Sequence, residues 1–131
     1  MLQPAPFPVS RPRRLRQAPW IRDMVAETAL GPADFIIEKV AYSAFYQTRL
    51  EFILKKMGIE TLIVGGIVTN GGVASTLRDA HLRDIDTIML TDGCAAFKDE
   101  VHRATITSLA TVCGQMTCAD ATALVEGAVW V

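Results

Sequence analysis

The chain has 131 residues, half of them apolar, and a formal net charge of −1, which fits one α/β-sized domain with a modest core. No stretch approaches the roughly 20 uninterrupted apolar residues of a membrane-spanning helix, and the first residues lack the apolar centre of a secretory signal. Three cysteines without the spacing of a disulfide framework indicate reduced thiols. We therefore expect a cytoplasmic protein without membrane contact.

Residues 1–19 are rich in proline and arginine and precede the single domain that we expect over residues 20–131. Clustered arginines attract phosphates and anionic surfaces, which leaves nucleic-acid binding open. The prolines resist helix and sheet formation, and few aromatic side chains accompany the arginines as stacking platforms for bases. The sequence therefore favours a poorly ordered arm without chemistry of its own.

Beyond the arm, short β-rich runs alternate with helical periods, which is typical of an α/β fold. Residues 35–40 predict a strand, and apolar residues at helical spacing over residues 46–57 predict a helix that Gly58 ends. The near-continuous apolar run over residues 61–69 predicts a parallel strand that is covered on both faces and lies at the centre of the sheet.

The second half of the chain continues this alternation. A helix is expected from Gly71 or Gly72 to about Arg83, then a strand over residues 87–91. Helical spacing up to Val112 predicts another helix, with Asp99 and Glu100 favouring its positive N-terminal end. Residues 115–118 predict a last strand, and Asp120 is expected to cap a short helix that ends near Gly127. The face of the helix before Arg83 is predicted to comprise Val73, Leu77, Ala80 and His81.

A glycine-rich turn, residues 65–73 with the sequence GGIVTNGGV, joins the predicted central strand to the next helix. Ligands of α/β proteins bind at such turns, and the free amides at a helix start attract an anion or a developing oxyanion. The glycine spacing fits neither a dinucleotide-binding turn nor a P-loop. From the residues alone, a tight turn whose glycines only relieve backbone strain remains an equal alternative.

Several blocks together resemble the isochorismatase-like hydrolases of the cysteine hydrolase superfamily. They are residues 39–45 (KVAYSAF), 66–73 (GIVTNGGV) and 76–80 (TLRDA), followed by 92–97 (DGCAAF) and 100–102 (EVH). Ordered blocks at suitable intervals are more specific than any single glycine turn. The resemblance implies a Rossmann-like three-layer α/β/α fold with a mainly parallel sheet.

Members of this family use an aspartate, a lysine and a cysteine, and the cysteine thiol attacks an amide-like carbonyl. The resemblance places Lys39 at the lysine and Gly72 at the nucleophile position, where no side chain is present. From the residues alone, an ordinary solvated charge paired with Glu38 is the favoured explanation of Lys39. The isochorismatase branch also carries glycine at this position, and its aspartate is thought to protonate a vinyl ether with help from the lysine.

The aspartate of the family ends its first strand, and no such strand is found in this sequence. Asp23 with Met24 is only superficially similar, because residues 20–34 match the helix and loop before the lysine. We therefore expect the first two strands of the family sheet to be absent at the N-terminal side. That absence would leave an apolar edge on the strand of residues 62–68 and favour self-association.

The resemblance also implies a cis peptide between Ile67 and Val68, with the amides of Val68 and Gly72 converging as an oxyanion hole. Phe45 and Tyr46 are alternatively core aromatics at a helix start. Neither His81 nor His102 has the partner spacing of a metal site, so no metal is expected. The predicted wall of the substrate pocket consists of Tyr42, Phe45, Tyr46, Thr69 and Asn70.

Besides nucleic-acid binding by the arginine-rich arm, which ranks last, two functions stay open from the sequence. The first is cofactor-free hydrolysis of a small metabolite that contains a vinyl ether or an amide. The second is a non-catalytic role, as a pseudoenzyme or truncated relic that self-associates or binds a partner. The second is kept because two of the three expected catalytic groups are not found, and such groups act as a unit.

Overall fold

The computed structural model describes Ala29 and residues 31–128, and the chain divides into two units, Met1–Phe35 and Ile36–Val131. In the first unit, the described residues form a turn in which the Gly31 amide donates to the Asp34 carboxylate over 2.7 Å. The predicted arm of residues 1–19 lies outside the described residues. All described helices and strands belong to the second unit.

The second unit is built from helices and parallel strands that alternate along the chain. This alternation confirms the predicted α/β class. The elements are α1 (Leu50–Met57), β1 (Thr61–Ile67), a π-helical turn (Thr69–Val73), α2 (Ala74–His81), β2 (Asp86–Ala95), α3 (Asp99–Leu109), β3 (Gly114–Met116) and α4 (Cys118–Glu126).

Helices cover both faces of the sheet, as the three-layer architecture requires. Leu77 of α2 and Leu109 of α3 pack with Met89 of β2 in one cluster, and all three are fully buried. On the opposite face, α4 borders a groove of about 400 Å³ that Leu90 of β2 and Ile63 of β1 also line. Alternate residues of β2 thus face different helices, which is the pattern of a strand buried inside an α/β domain.

The strand β1 lies at the edge of the sheet, whose order is β1-β2-β3. The predictions that this strand is central and covered on both faces are therefore wrong for the residues that the structure describes. Ile63 and Ile67 are 38% and 79% exposed, because no described strand pairs with the outer edge of β1. The expected apolar edge is present in this part of the chain.

Two predicted elements begin or end differently. Residues 35–40 form no strand, because a strand requires a hydrogen-bonded neighbour and none of the described strands pairs with this run. The helix α1 begins at Leu50 rather than at residue 46, since Gln47 has a positive φ of 52° that helical backbone does not allow. Gly58 ends α1 in the left-handed conformation, as predicted.

Smaller corrections concern α2 and α4. His81 is exposed, so the buried face of α2 comprises Ala74, Thr76, Leu77 and Ala80 without it. The N-cap of α4 is Thr117, whose hydroxyl accepts the Asp120 amide while the Asp120 carboxylate accepts the Thr117 amide. Asp120 therefore completes a capping box from the third helical position. Among the described residues, none of the helices has the length and apolarity to cross a membrane.

Candidate active site at the β1 to α2 turn

The connection between β1 and α2 is a single π-helical turn at the carboxyl end of the sheet. The Ile67–Val68 peptide before it is cis, as the resemblance implied. The Val68 carbonyl accepts the amides of Gly71, over 3.0 Å, and Val73, over 3.3 Å. Both hydrogen bonds share the Val68 carbonyl and hold residues 68–73 in a compact turn that leads into α2.

The Lys39 amine lies beside this turn. Its Nζ donates to the carbonyls of Ala41, over 3.1 Å, and Tyr42, over 3.0 Å. A Cβ placed on Gly72 would lie 3.6 Å from the same Nζ. The fold thus brings together the lysine and the nucleophile position, which are 33 residues apart. Lys39 is exposed, as the solvated-charge alternative expects, but no ion pair joins it to Glu38 within the described part of the chain.

Gly71 has a packing reason to be glycine. A Cβ at this position would lie 3.0 Å from the Val68 side chain and 3.4 Å from the Tyr42 ring. The Tyr42 ring therefore rests against the turn, while the side chain stays 51% exposed. The equal alternative, in which the glycines only relieve strain, does not explain this close approach.

The remaining predicted pocket residues separate into exposed and buried ones. Asn70 and Tyr46 are exposed, whereas Thr69 is fully buried. Phe45 is 5% exposed and belongs to a core cluster with Leu54. The core role given as the alternative for Phe45 therefore agrees with its position.

The contact between His102 and Thr69 was not predicted from the sequence. The Nδ1 atom of His102 lies 2.8 Å from the Thr69 hydroxyl oxygen. The only signal was that His102 belongs to one of the blocks carrying the resemblance, because neither its spacing nor its neighbours point to Thr69. Among the described residues, no group of three or more side chains has the arrangement of a metal site.

The three cysteines are free, and none has the features of an activated nucleophile. Burial raises the pKa of the Cys94 and Cys113 thiols. A hydrogen bond with the Asp92 carboxylate raises the pKa of the exposed Cys118 thiol. A reactive thiol requires the opposite shift. These surroundings therefore do not favour any of the three thiols as a nucleophile.

The parallel sheet, the helices on both faces and the lysine beside a strand-to-helix turn define an α/β domain with a candidate site at the carboxyl end of its sheet. Residues 1–121 match the family described as "Isochorismatase domain". The chain therefore belongs to the isochorismatase family.

Several curated proteins are similar to this chain over part of their length. Nicotinamidase 3 of Arabidopsis thaliana is 41% identical over 80 residues, which cover 61% of the chain and 40% of that protein. The ureidoacrylate amidohydrolase RutB of Acinetobacter baylyi is 36% identical over 101 residues, covering 76% and 41%. The phenazine biosynthesis protein PhzD1 of Pseudomonas aeruginosa is 30% identical over 106 residues, covering 81% and 51%. The chain thus spans about half or less of the length of these relatives.

Solved structures are similar over a comparable share. A cysteine hydrolase from Pseudomonas syringae superposes with a TM-score of 0.78 at 29% identity, covering 82% of this chain and 56% of that one. An isochorismatase-like hydrolase from Alkaliphilus metalliredigens gives a TM-score of 0.76 at 30% identity, covering 78% and 56%. These superpositions confirm the α/β architecture that the resemblance implied.

Proposed function

We propose that this chain takes part in the cofactor-free hydrolysis of a small metabolite that contains an amide or a vinyl ether. The observation that carries the proposal is the 3.6 Å distance between Lys39 Nζ and a Cβ placed on Gly72. A cation that lies beside the nucleophile position of a hydrolase family can stabilise negative charge during hydrolysis. It binds the negative charge of a carboxylated substrate or of the oxygen that becomes negative during hydrolysis.

The hydrogen bonds of Lys39 support this role. An ammonium group has three N–H donors, and two of them are used by the carbonyls of Ala41 and Tyr42. Within the described residues the third has no partner, so it is the donor that we assign to the substrate. We propose that the amides of Val68 and Gly72 supply further donors to the same oxygen, and that Tyr42, Tyr46 and Asn70 line the pocket.

Because Gly72 has no side chain, no covalent intermediate forms at this position. For an amide, we propose that water attacks the substrate carbonyl directly. The water oxygen forms the new C–O bond, the C–N bond breaks, and the amine leaves with a proton that originates from the water. The relatives named nicotinamidase and ureidoacrylate amidohydrolase support the amide class, and the family description supports isochorismate as a vinyl ether.

The test is turnover of isochorismate and of a panel of small amides by the purified protein. Lys39→Ala removes the proposed anion-binding group, and Lys56→Ala is its matched control. Lys56 lies on α1 with its amine 5.9 Å from the centre of the Phe52 ring. We expect turnover that Lys39→Ala abolishes and Lys56→Ala preserves. Equal turnover in both variants would contradict the assignment of Lys39.

The exposed edge of β1 favours a second candidate function, self-association without catalysis. Edge strands in stable monomers are usually protected by charges, prolines or bulges, whereas the sequence of β1 is TLIVGGI. We propose a homo-oligomer in which this edge is covered. Light scattering over a range of concentrations tests this, with Ile63→Lys as the disrupting variant and Phe52→Lys, another exposed apolar site, as control. A monomer at all concentrations would refute it.

We also propose a cytoplasmic location and no cofactor. Free thiols at all three cysteines support the location, because disulfides persist mainly in oxidising compartments. Thiol titration of the protein from a cell extract prepared under alkylating conditions tests the location. Cysteines found oxidised in such an extract would contradict it.

A further inference from the structure

Thr69 connects the turn of the candidate site to a helix that the proposed chemistry does not use. It is the first residue of the π-helical turn and is fully buried. Its hydroxyl oxygen lies 2.8 Å from Nδ1 of His102, in the first half of α3. Its carbonyl accepts the amide of Ala74, the first residue of α2. One residue therefore holds the turn to both helices.

We propose that His102 is a positioning residue of the site and acts through the Thr69 hydroxyl. A buried hydroxyl requires a hydrogen-bond partner, and the imidazole supplies it from outside the turn. The contact fixes the start of the turn against α3, so that Gly72 keeps its place beside Lys39. The inference rests on the proposed function, because it assigns His102 to the same site.

The hydrogen bond between Thr69 and His102 can persist in either tautomer of the imidazole. A hydroxyl group both donates and accepts, and a neutral imidazole nitrogen does either according to the tautomer. The Thr69 hydroxyl therefore keeps its bond to Nδ1 whichever ring nitrogen of His102 carries the proton. Misplacement of a site group by about 1 Å costs up to about 100-fold in rate, so the loss of this support should be visible in turnover.

The first test uses the spectrum of the protein and needs no activity. Thr69→Val removes the hydroxyl and keeps the shape of the side chain, whereas Thr69→Ser keeps the hydroxyl. We expect Thr69→Val to shift the ¹⁵N resonance of His102 Nδ1 and the amide resonances of Asn70 and Gly72. Thr69→Ser should leave these resonances close to those of the unaltered protein. The ring of His81, which is exposed, serves as an internal reference.

The second test separates positioning from general stability. His102→Leu should lower kcat by about 10-fold to 100-fold, and His102→Asn, whose amide reaches the place of Nδ1, should restore most of it. His81→Leu is the matched control on the other histidine of the chain and should leave kcat unchanged. A folded His102→Leu variant with unshifted turn amides and unchanged kcat would overturn the inference.

The two tests also separate this inference from the proposed function. If the protein has no turnover but Thr69→Val moves the His102 and turn resonances, the proposed hydrolysis fails and the positioning contact stands. If turnover depends on Lys39 but the resonances do not respond to Thr69→Val, the hydrolase stands and the positioning role of His102 is wrong.

Discussion

Replacing Gly72 with cysteine tests the geometry of the site most directly. A Cβ at this position would lie 3.4 Å from the Tyr42 carbonyl oxygen and 3.6 Å from both the Ile67 carbonyl oxygen and Lys39 Nζ. These are ordinary van der Waals distances, and Gly72 is not among the described glycines with positive φ. The Gly72→Cys side chain should therefore fit without displacing the turn, and its thiol should lie close to the Lys39 ammonium.

The size of the expected effect follows from the distance. A thiolate about 4 Å from an ammonium group gains about 1 kcal/mol in water and about 4 kcal/mol at an effective dielectric constant of about 20. One pKa unit corresponds to about 1.4 kcal/mol, so the range is roughly 0.7 to 3 units. Lys39 is exposed, which favours the lower end. We expect the pKa of the introduced thiol to be lowered by about one unit.

The assay is the rate of alkylation by iodoacetamide as a function of pH, resolved by mass spectrometry of the labelled peptides. Peptide resolution separates the introduced thiol from the three native ones, whose pKa values are raised. The same measurement in the Gly72→Cys, Lys39→Met double variant removes the cation. If the introduced thiol titrates at the same pH with and without Lys39, the lysine does not lie beside the nucleophile position and the reasoning fails.

Three further predictions concern stability. Leu77→Ala, at a fully buried position, should lower the free energy of unfolding in urea by about 2–5 kcal/mol; a loss below 1 kcal/mol would contradict the described core. Gly93→Ala, within β2, should also destabilise, by about 1–3 kcal/mol, because its Cβ would lie 2.8 Å from the Leu90 Cβ; an unchanged midpoint would contradict this close approach. Hydrogen bonds from Lys55 and then Arg83 lower the pKa of Glu51 below its ordinary value of 4.5. Its stabilisation is therefore fully present above pH 4.5 and lost as the pH falls through the lowered pKa, so the stability difference from Glu51→Gln should vanish in acid; a pH-independent difference would refute this.

Elements with a strong local signal were predicted well from the sequence. The end of α1 was predictable because Gly58 readily adopts the left-handed conformation that ends a helix. The start of α3 was predictable because Asp99 and Glu100 interact favourably with the positive end of the helix dipole. The strand predicted over residues 35–40 failed because its apolar residues say nothing about a hydrogen-bonded neighbour. The prediction that β1 is buried on both faces was wrong for the same reason. Whether a strand is buried depends on the strands and helices that pack against it, which the sequence of the strand does not show.

The sequence predicted which residues belong to the candidate site better than it predicted the contacts between them. The blocks carrying the resemblance contained Lys39, Gly72 and His102, but the bond between His102 and Thr69 joins residues 33 positions apart. Likewise, no spacing indicates that the Lys39 amine is held by the carbonyls of Ala41 and Tyr42. Such contacts arise only when the fold brings separate segments together.

The two parts of the site differ in what holds them. Lys39 is held by carbonyls two and three residues further along the chain, and Tyr42 in turn packs on Gly71. The position of the cation therefore depends on one short segment and the turn that it touches. In the proposed hydrolysis, the identity of the attacking group depends on the side chain at position 72. Under that proposal, exchange of glycine and cysteine at this position would change the attacking group from water to a thiol, while the proposed recognition of negative charge by Lys39 would stay the same.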